Sequence, residues 1–446
     1  MTNKTSRRNF IASTASAAAG VAVARGYALG ADSKNSPNDK INVALIGCGA
    51  RGRQVLPSFK NNKGVRMVAA CDVNSKYLAQ GRHLLGGEKI AAEKDFRKIM
   101  DNKDVDAVII ATQAHWHVLP IITACKAGKD VYAEKPMGNS IGEGKFAIEA
   151  AKKYNRIVQV GTQQRSRKHY HEAVKLIHEG KLGNISQVKV RDYENWFPSN
   201  GSPADCPPPK ELDWDFYVGP APMRPYNPNC YYGYGYDWVK LSGGGHQVAW
   251  GVHHFDVVLW AMGVKYPKKV SAMGGQYAFK DNREWPNTMS AILEFGPGPV
   301  AKDGFIMQYD MRIGCRREAR SHGKCFLGTE ASMTVDRSRY TIVPETLGRK
   351  KSTPYEGLVN KGHEVLASDD EYKHTQVFLD NVRNRTQPFA NCETCHHATN
   401  LGHLMNISWE LGRTINWDGE NDRAIDDPQA NKLVNKPYRA PWKLEV

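Results

Sequence analysis

Residues 41–52 read Ile41-Asn42-Val43-Ala44-Leu45-Ile46-Gly47-Cys48-Gly49-Ala50-Arg51-Gly52. The first six are a short, nearly unbroken apolar run, which suits a parallel strand buried on both faces. A Gly-x-Gly-x-x-Gly turn follows at once, and the next residues carry a helical pattern to about Asn61. Val65-Arg66-Met67-Val68-Ala69-Ala70-Cys71-Asp72 reads as a second strand, and its closing acid comes 20 residues after Gly52. A glycine triplet alone carries little weight. Between a strand and a helix, with an acid ending the next strand, it is a dinucleotide-binding arrangement. Its glycines allow the tight turn and let a pyrophosphate approach the helix N-terminus. Gly47, Gly49, Arg51 and Gly52 are therefore candidate cofactor-binding residues. Asp72 is placed to accept hydrogen bonds from both adenosine ribose hydroxyls, and its charge repels a 2′-phosphate, so the expected cofactor is NAD rather than NADP.

The alternation continues along the chain. Strands are expected at Val105–Thr112, Asp130–Glu134 and Ile157–Gly161, with helices at Trp116–Ala127 and Ile141–Tyr154 between them. This order predicts a doubly wound parallel sheet that binds ligands at the carboxyl ends of its strands. Glu134-Lys135-Pro136 lies at such an end. A lysine there, beside a nicotinamide cation and partly desolvated, is a candidate acid/base.

Several motifs together identify a likeness. Gly47-x-Gly49-x-x-Gly52, Asp72, Thr112-x-x-x-x-His117, Glu134-Lys135-Pro136 and Gly243-Gly244-Gly245…Gly251-x-His253-x-x-Asp256 resemble the Gfo/Idh/MocA oxidoreductase family from about residue 40 to the C-terminus. Asp213-Trp214-Asp215-Phe216-Tyr217-Val218-Gly219-Pro220 and Tyr438-Arg439-Ala440-Pro441-Trp442 look like that family's exported, twin-arginine branch. The resemblance implies an N-terminal Rossmann domain, then an α/β domain whose open, mostly antiparallel sheet supports the substrate pocket and often an oligomer interface. A homo-oligomer follows from it. It also implies that Lys135 is the catalytic lysine, with His253 facing the substrate hydroxyl. Thr112, His117, Glu134 and Pro136 fall on the cofactor side, Pro136 as a commonly cis proline. One position departs from the pattern: the family's aspartate between the triple glycine and His253 is Ala249 here. Without that carboxylate Lys135 loses a charge partner that would hold it protonated. An altered acid/base arrangement on Lys135 and His253 is the expectation, and lost turnover the alternative.

The expected organisation is an export signal over residues 1–31, an NAD-binding domain over 39–161 and a substrate and oligomerisation domain over 162–446. Ser6-Arg7-Arg8-Asn9-Phe10-Ile11 opens a positive n-region, Ile11–Ala24 is a small apolar h-region, and Ala28-Leu29-Gly30-Ala31 is a small-residue cleavage region. Paired arginines mark the twin-arginine route, so the periplasm is expected. The h-region is too short and too rich in Ala and Gly for a span of ~20 residues, so no stable membrane span is expected after cleavage. A soluble redox cofactor is scarce outside the cytoplasm, so such an enzyme must carry its own.

Composition sets outer limits. The 446 residues are 41% hydrophobic and 24% charged, which excludes collagen, low-complexity disorder and a small disulfide scaffold. The net charge of +15 comes from scattered cations with no long basic run, so nucleic acid is not an expected partner. Asn195–Pro209, rich in Pro, Ser and Asn, reads as a long loop over the pocket. Trp214, Tyr231, Tyr232, Tyr234, Tyr236 and Trp238 fit either a carbohydrate site or packing, and Trp250 and Trp260 read as core. The pairs His115/His117, His253/His254 and His396/His397 lack the i,i+4 spacing of two metal ligands on one helix face, so no metal is expected. Cys392-Glu393-Thr394-Cys395-His396 matches a haem c attachment pattern, but it sits in a helical stretch reaching Thr414, so a disulfide or paired buried thiols are expected instead. These observations point to an exported oxidoreductase that moves a hydride between tightly bound NAD and a sugar or sugar derivative. The alternatives are an NAD-dependent glycosidase or lyase working by transient oxidation and elimination, and a non-catalytic or electron-transfer member.

Overall fold

The computed structural model describes residues 40–232, 240–317, 320–345, 363–367 and 371–446. The expected export signal lies outside them, as do Tyr234, Tyr236 and Trp238 of the aromatic stretch. Six parallel strands form the first sheet: β1 (Ile41–Ile46), β2 (Val65–Cys71), β3 (Ala91–Glu93), β4 (Ala107–Ile110), β5 (Asp130–Ala133) and β6 (Val158–Val160). Their order, β3-β2-β1-β4-β5-β6, is that of a Rossmann domain, as the βαβ pattern predicts.

Both faces of this sheet are covered, which is why β1 reads as a continuous apolar run. Val43 and Leu45 point into one core with Phe59, Ile109 and Tyr132, while Ala44 and Ile46 point into another with Val108, Ile110 and Val118. The first core is closed from far along the chain. The helix Glu371–Asn384 places Phe378 and Leu379, both wholly buried, against Phe59 and Tyr132.

The second sheet contains β7 (Ile185–Tyr193), β8 (Lys269–Gly275), β9 (Thr288–Phe295), β10 (Phe305–Arg312), β11 (His322–Gly328), β12 (Ala331–Val335), β13 (Arg339–Pro344), β14 (His363–Leu366), β15 (Ile415–Asp418) and β16 (Arg423–Ala424). Its order is β14-β13-β12-β11-β7-β10-β9-β8-β15-β16, antiparallel throughout except where β10 runs parallel to β7. This is the open, mostly antiparallel sheet the resemblance implies. In β9, Met289, Ala291, Leu293 and Phe295 are buried while Ile292 alternates outward at 54% exposure. The helices Gly251–Met262 and Cys392–Leu411 contribute to the same core as those inward residues. All nine cysteines are unpaired. Cys392 and Cys395 are buried thiols in the first turn of their helix, so the Cys-x-x-Cys-His motif forms neither a disulfide nor an accessible haem attachment site. Among the described residues no helix is long and apolar enough to cross a membrane.

Candidate active site

A cleft of about 690 Å³ opens at the carboxyl ends of β1, β2, β4 and β5. Gly47, Gly49, Arg51, Asp72, Thr112, His117, Glu134, Lys135, Pro136 and His253 all line it. Gly52, the remaining candidate, sits behind the turn; a Cβ there would lie 2.0 Å from the Gly47 carbonyl oxygen, so its role is close packing of helix on strand. Gly47 has φ +91°, and a Cβ would come within 2.5 Å of the Ala111 oxygen. Gly49 differs: its backbone is ordinary at φ −67°, and a Cβ would meet nothing within 4 Å. The turn therefore leaves open space above Gly49, as a pyrophosphate at the N-terminus of the helix Ala50–Lys60 requires.

Asp72 is fixed by its own turn. Its Oδ2 accepts from the Cys48 amide at 2.7 Å and its Oδ1 from the Asn74 amide at 2.8 Å. Burial nevertheless raises its pKa to about 6, with those two amides acting against the rise. Asn74 also donates to the Tyr231 hydroxyl at 2.7 Å, and Tyr231 stacks on Tyr77, so an aromatic wall is tied to the turn that holds Asp72. Arg51 lies 2.8 Å from Glu134 Oε1, joining the glycine turn to the end of β5. His117 joins two more loops, with Nδ1 2.7 Å from the Pro136 oxygen and Nε2 3.1 Å from the Thr112 oxygen. Among the described residues the buried Thr112 hydroxyl has no hydrogen-bond partner, and it lines the cleft, which fits a cofactor contact.

The Lys135–Pro136 peptide bond is cis, as the resemblance implies. Lys135 Nζ donates to the Ala249 carbonyl oxygen at 2.8 Å. The main chain at position 249 thus meets the lysine where the family pattern puts a carboxylate. A carbonyl orients the amine by accepting its hydrogen bond, but it brings no negative charge to hold the ammonium form. His253 is almost fully buried. Burial, together with Arg337 and Lys135 nearby, pushes its pKa well below the ordinary imidazole value, so it is neutral. Among the described residues its Nδ1 has no hydrogen-bond partner. Asp256, which closes the His253-x-x-Asp256 motif, is a structural anchor instead. It is fully buried and receives Arg165 Nε at 2.7 and 2.8 Å.

Two expectations need correction. Asn195–Pro209 contributes no residue to the cleft; the wall comes instead from Phe216, Tyr217, Tyr231 and Tyr232. The helix Trp214–Val218 is held there because His115 Nε2 and Trp116 Nε1 both bond the Tyr217 carbonyl, at 2.8 and 2.9 Å. Trp214 packs against Tyr217 and Tyr226, so the aromatic stretch divides between packing and cleft. Trp250 is a cleft residue rather than core, because the helical pattern passes through a break between His246–Ala249 and Gly251–Met262. Gln163 and Arg337 also line the cleft and were not anticipated. Gln163 follows the carboxyl end of β6, a usable signal. Arg337 sits in the turn between β12 and β13, where nothing in the local sequence marks it.

The comparisons with known proteins agree with this architecture. Residues 41–162 match the model for the Gfo/Idh/MocA oxidoreductase family, NAD-binding Rossmann fold, and 358–444 match the family's C-terminal α/β domain. Residues 41–162 therefore form an NAD-binding Rossmann domain of the kind this family carries. A glycosyl hydrolase family 109 protein of Saccharopolyspora erythraea is 28% identical over 207 residues, 41% of this chain and 44% of that one. Inositol 2-dehydrogenase of Salmonella typhimurium is 30% identical over 159 residues, 34% of this chain and 46% of that one. The chain thus spans under half the length of these curated relatives. Among solved structures, the WlbA dehydrogenase of Bordetella pertussis, crystallised with NADH and UDP-GlcNAcA, shares the fold. Its TM-score is 0.63 at 17% identity, over 85% of this chain and 99% of that one.

Proposed function

We propose that this protein is an exported, NAD-dependent oxidoreductase that exchanges a hydride with a sugar or sugar derivative. The observation that carries the reading is that Lys135 and His253 share one cleft with Gly49 and Asp72. Bound NAD supplies hydride exchange at the nicotinamide. The chain's own residues position the substrate and move its proton. Lys135 Nζ, oriented by the Ala249 carbonyl, takes the proton of a ring hydroxyl as it becomes a ketone and returns it in reverse. Neutral His253 hydrogen-bonds the same hydroxyl without adding a second positive charge. Tyr232 and Trp250 offer aromatic faces to the C–H faces of a sugar ring. The names of the relatives, an inositol dehydrogenase among them, support a polyhydroxylated substrate. The Arg7-Arg8 leader supports export with the cofactor carried along. Outward-facing Met273, Ile292 and Ile306 on the open sheet support a homo-oligomer through that face.

The test is to denature the purified chain, identify the nucleotide released, and assay a sugar panel with a carbonyl acceptor. Stoichiometric NAD and acceptor-dependent sugar oxidation abolished by Lys135→Ala are expected. Undiminished turnover in that variant overturns the reading. The family 109 relative favours a second reading, in which transient oxidation at one ring carbon acidifies its neighbour and eliminates a glycosyl group. Release of the leaving group from an aryl glycoside without any acceptor, and with no net NADH, selects it.

A further inference from the structure

We propose that Asp192, His254 and His322 form a divalent-metal site directly behind the substrate wall of the cleft, suited to zinc or another first-row ion. The three come from different elements. Asp192 near the end of β7 and His322 at the start of β11 are direct partners across the antiparallel ladder, and His254 projects from the helix Gly251–Met262. Their donor atoms all lie within 4.8 Å of one another.

The spacing is that of shared ligands more than of hydrogen bonds. Asp192 Oδ1 is 3.4 Å from His322 Nδ1 and 3.8 Å from His254 Nε2. The longer contact is beyond hydrogen-bond range. Around an ion with bonds of about 2.0–2.2 Å, neighbouring tetrahedral donors stand roughly 3.3–3.6 Å apart.

The outer partners point the same way. Asp192 is fully buried, and its other oxygen, Oδ2, accepts from the Tyr309 hydroxyl at 3.0 Å. His322 Nε2 is 2.9 Å from Glu194 Oε1, which turns Nδ1 inward toward Asp192 Oδ1. A carboxylate behind a histidine ligand is the support that fixes the tautomer in metal sites. His246 Nε2 bonds the same Asp192 oxygen at 3.1 Å and takes its second lone pair. The buried Lys324 Nζ is engaged elsewhere, donating to Gln164 Oε1 at 2.6 Å and to the Tyr170 hydroxyl at 3.3 Å. Adjacent histidines on a helix point apart, which is why a search for i,i+4 pairs passes over a set assembled by the sheet.

The role is positioning. The Trp250 ring stacks near-parallel on both His322 and His246, at 6.1 and 5.9 Å, and forms part of the cleft wall beside Lys135. An ion here fixes the ring that the substrate meets without touching substrate itself.

The experiment uses the untagged full chain. Metal content is measured by elemental mass spectrometry, and the chelator-treated protein is then titrated with Zn²⁺ or Co²⁺. About one tight equivalent per chain is expected, with a four- or five-coordinate Co²⁺ spectrum and a higher Tm on metal addition. His322→Ala and His254→Ala lose the equivalent, while His83→Ala keeps it and NAD content is unchanged in all three. Wild-type protein that takes up no ion, an octahedral aquo-type Co²⁺ spectrum, or variants that retain wild-type stoichiometry overturn the proposal. The first two readouts need no variant, so a misfolded mutant does not obscure the answer.

Discussion

On the cofactor side of the cleft, Gly47, Asp72, Thr112 and Glu134 follow four neighbouring strands of a single parallel sheet. On the substrate side, Gln163, Phe216, Tyr232, Ala249, His253 and Arg337 arrive from separate loops and helix starts. The first arrangement is a consequence of topology: once the strand order is set, four loop starts must converge. The second depends on how distant segments pack, so it can change one residue at a time, as at Ala249, without disturbing the nucleotide site.

Substitutions can break or sharpen that contrast. Lys135→Ala should lower turnover by about 10²–10⁴-fold, the usual range for a general acid/base, while leaving bound NAD unchanged. A loss below tenfold, measured by acceptor-dependent sugar oxidation, would mean the substrate side is organised around another group. The two glycines of the turn should separate fold from ligand. Gly47→Ala forces a positive φ and a backbone clash, so it should cost about 1–3 kcal/mol, read as a lower midpoint in urea together with lost NAD. Gly49→Ala should leave the apo midpoint unchanged and reduce only the NAD retained through gel filtration. Full NAD retention in Gly49→Ala would show that the open space above that residue is not where the pyrophosphate lies.

Ala249→Asp tests the substrate side more gently. A carboxylate near Lys135 favours its ammonium form, so the pH for half-maximal oxidation should rise by roughly 1–3 units. No displacement of the pH–rate profile would show that the new carboxylate does not reach the amine. Asp72 carries the smallest effect. Its pKa of about 6 lies above the unfolded value, so its protonation favours the folded apo protein at low pH, and that contribution is lost as pH rises through about 6. NAD binding has the opposite sign because ribose hydroxyls need the ionised carboxylate. Affinity, measured by titrating the stripped protein, should therefore weaken as pH falls below about 6, approaching tenfold per unit well below it. Asp72→Asn should flatten that dependence.

The same contrast explains what the sequence alone could convey. β1, the glycine turn and the acid ending β2 are contiguous and impose their own geometry, so the Rossmann half and its cofactor residues are legible residue by residue. Lys135 is marked by its place at a strand's carboxyl end and sharpened by the family motif, while His253 is legible only through that motif, since a helical histidine has no local pattern of its own. Arg337 was missed because its place in the cleft depends on the second sheet's register, whereas Gln163, just past the carboxyl end of β6, had a legible position that went unread. Trp250 was misassigned because the apolar helical pattern runs through the break that turns its ring outward. Asp192, His254 and His322 meet through a strand pairing that no linear spacing encodes.

The helix Glu371–Asn384 has a further consequence for how the protein is made. Phe378 and Leu379 complete a core begun by Ile41 and Val43, and Trp442 packs on Trp116 and Phe216 at the cleft. During synthesis the nucleotide-binding half emerges first, yet its hydrophobic surface stays open until more than two hundred further residues have left the ribosome. Nascent chains should therefore carry exposed apolar surface through much of their elongation, and truncation between residues 161 and 378 should yield an aggregation-prone fragment, not a free-standing nucleotide-binding domain.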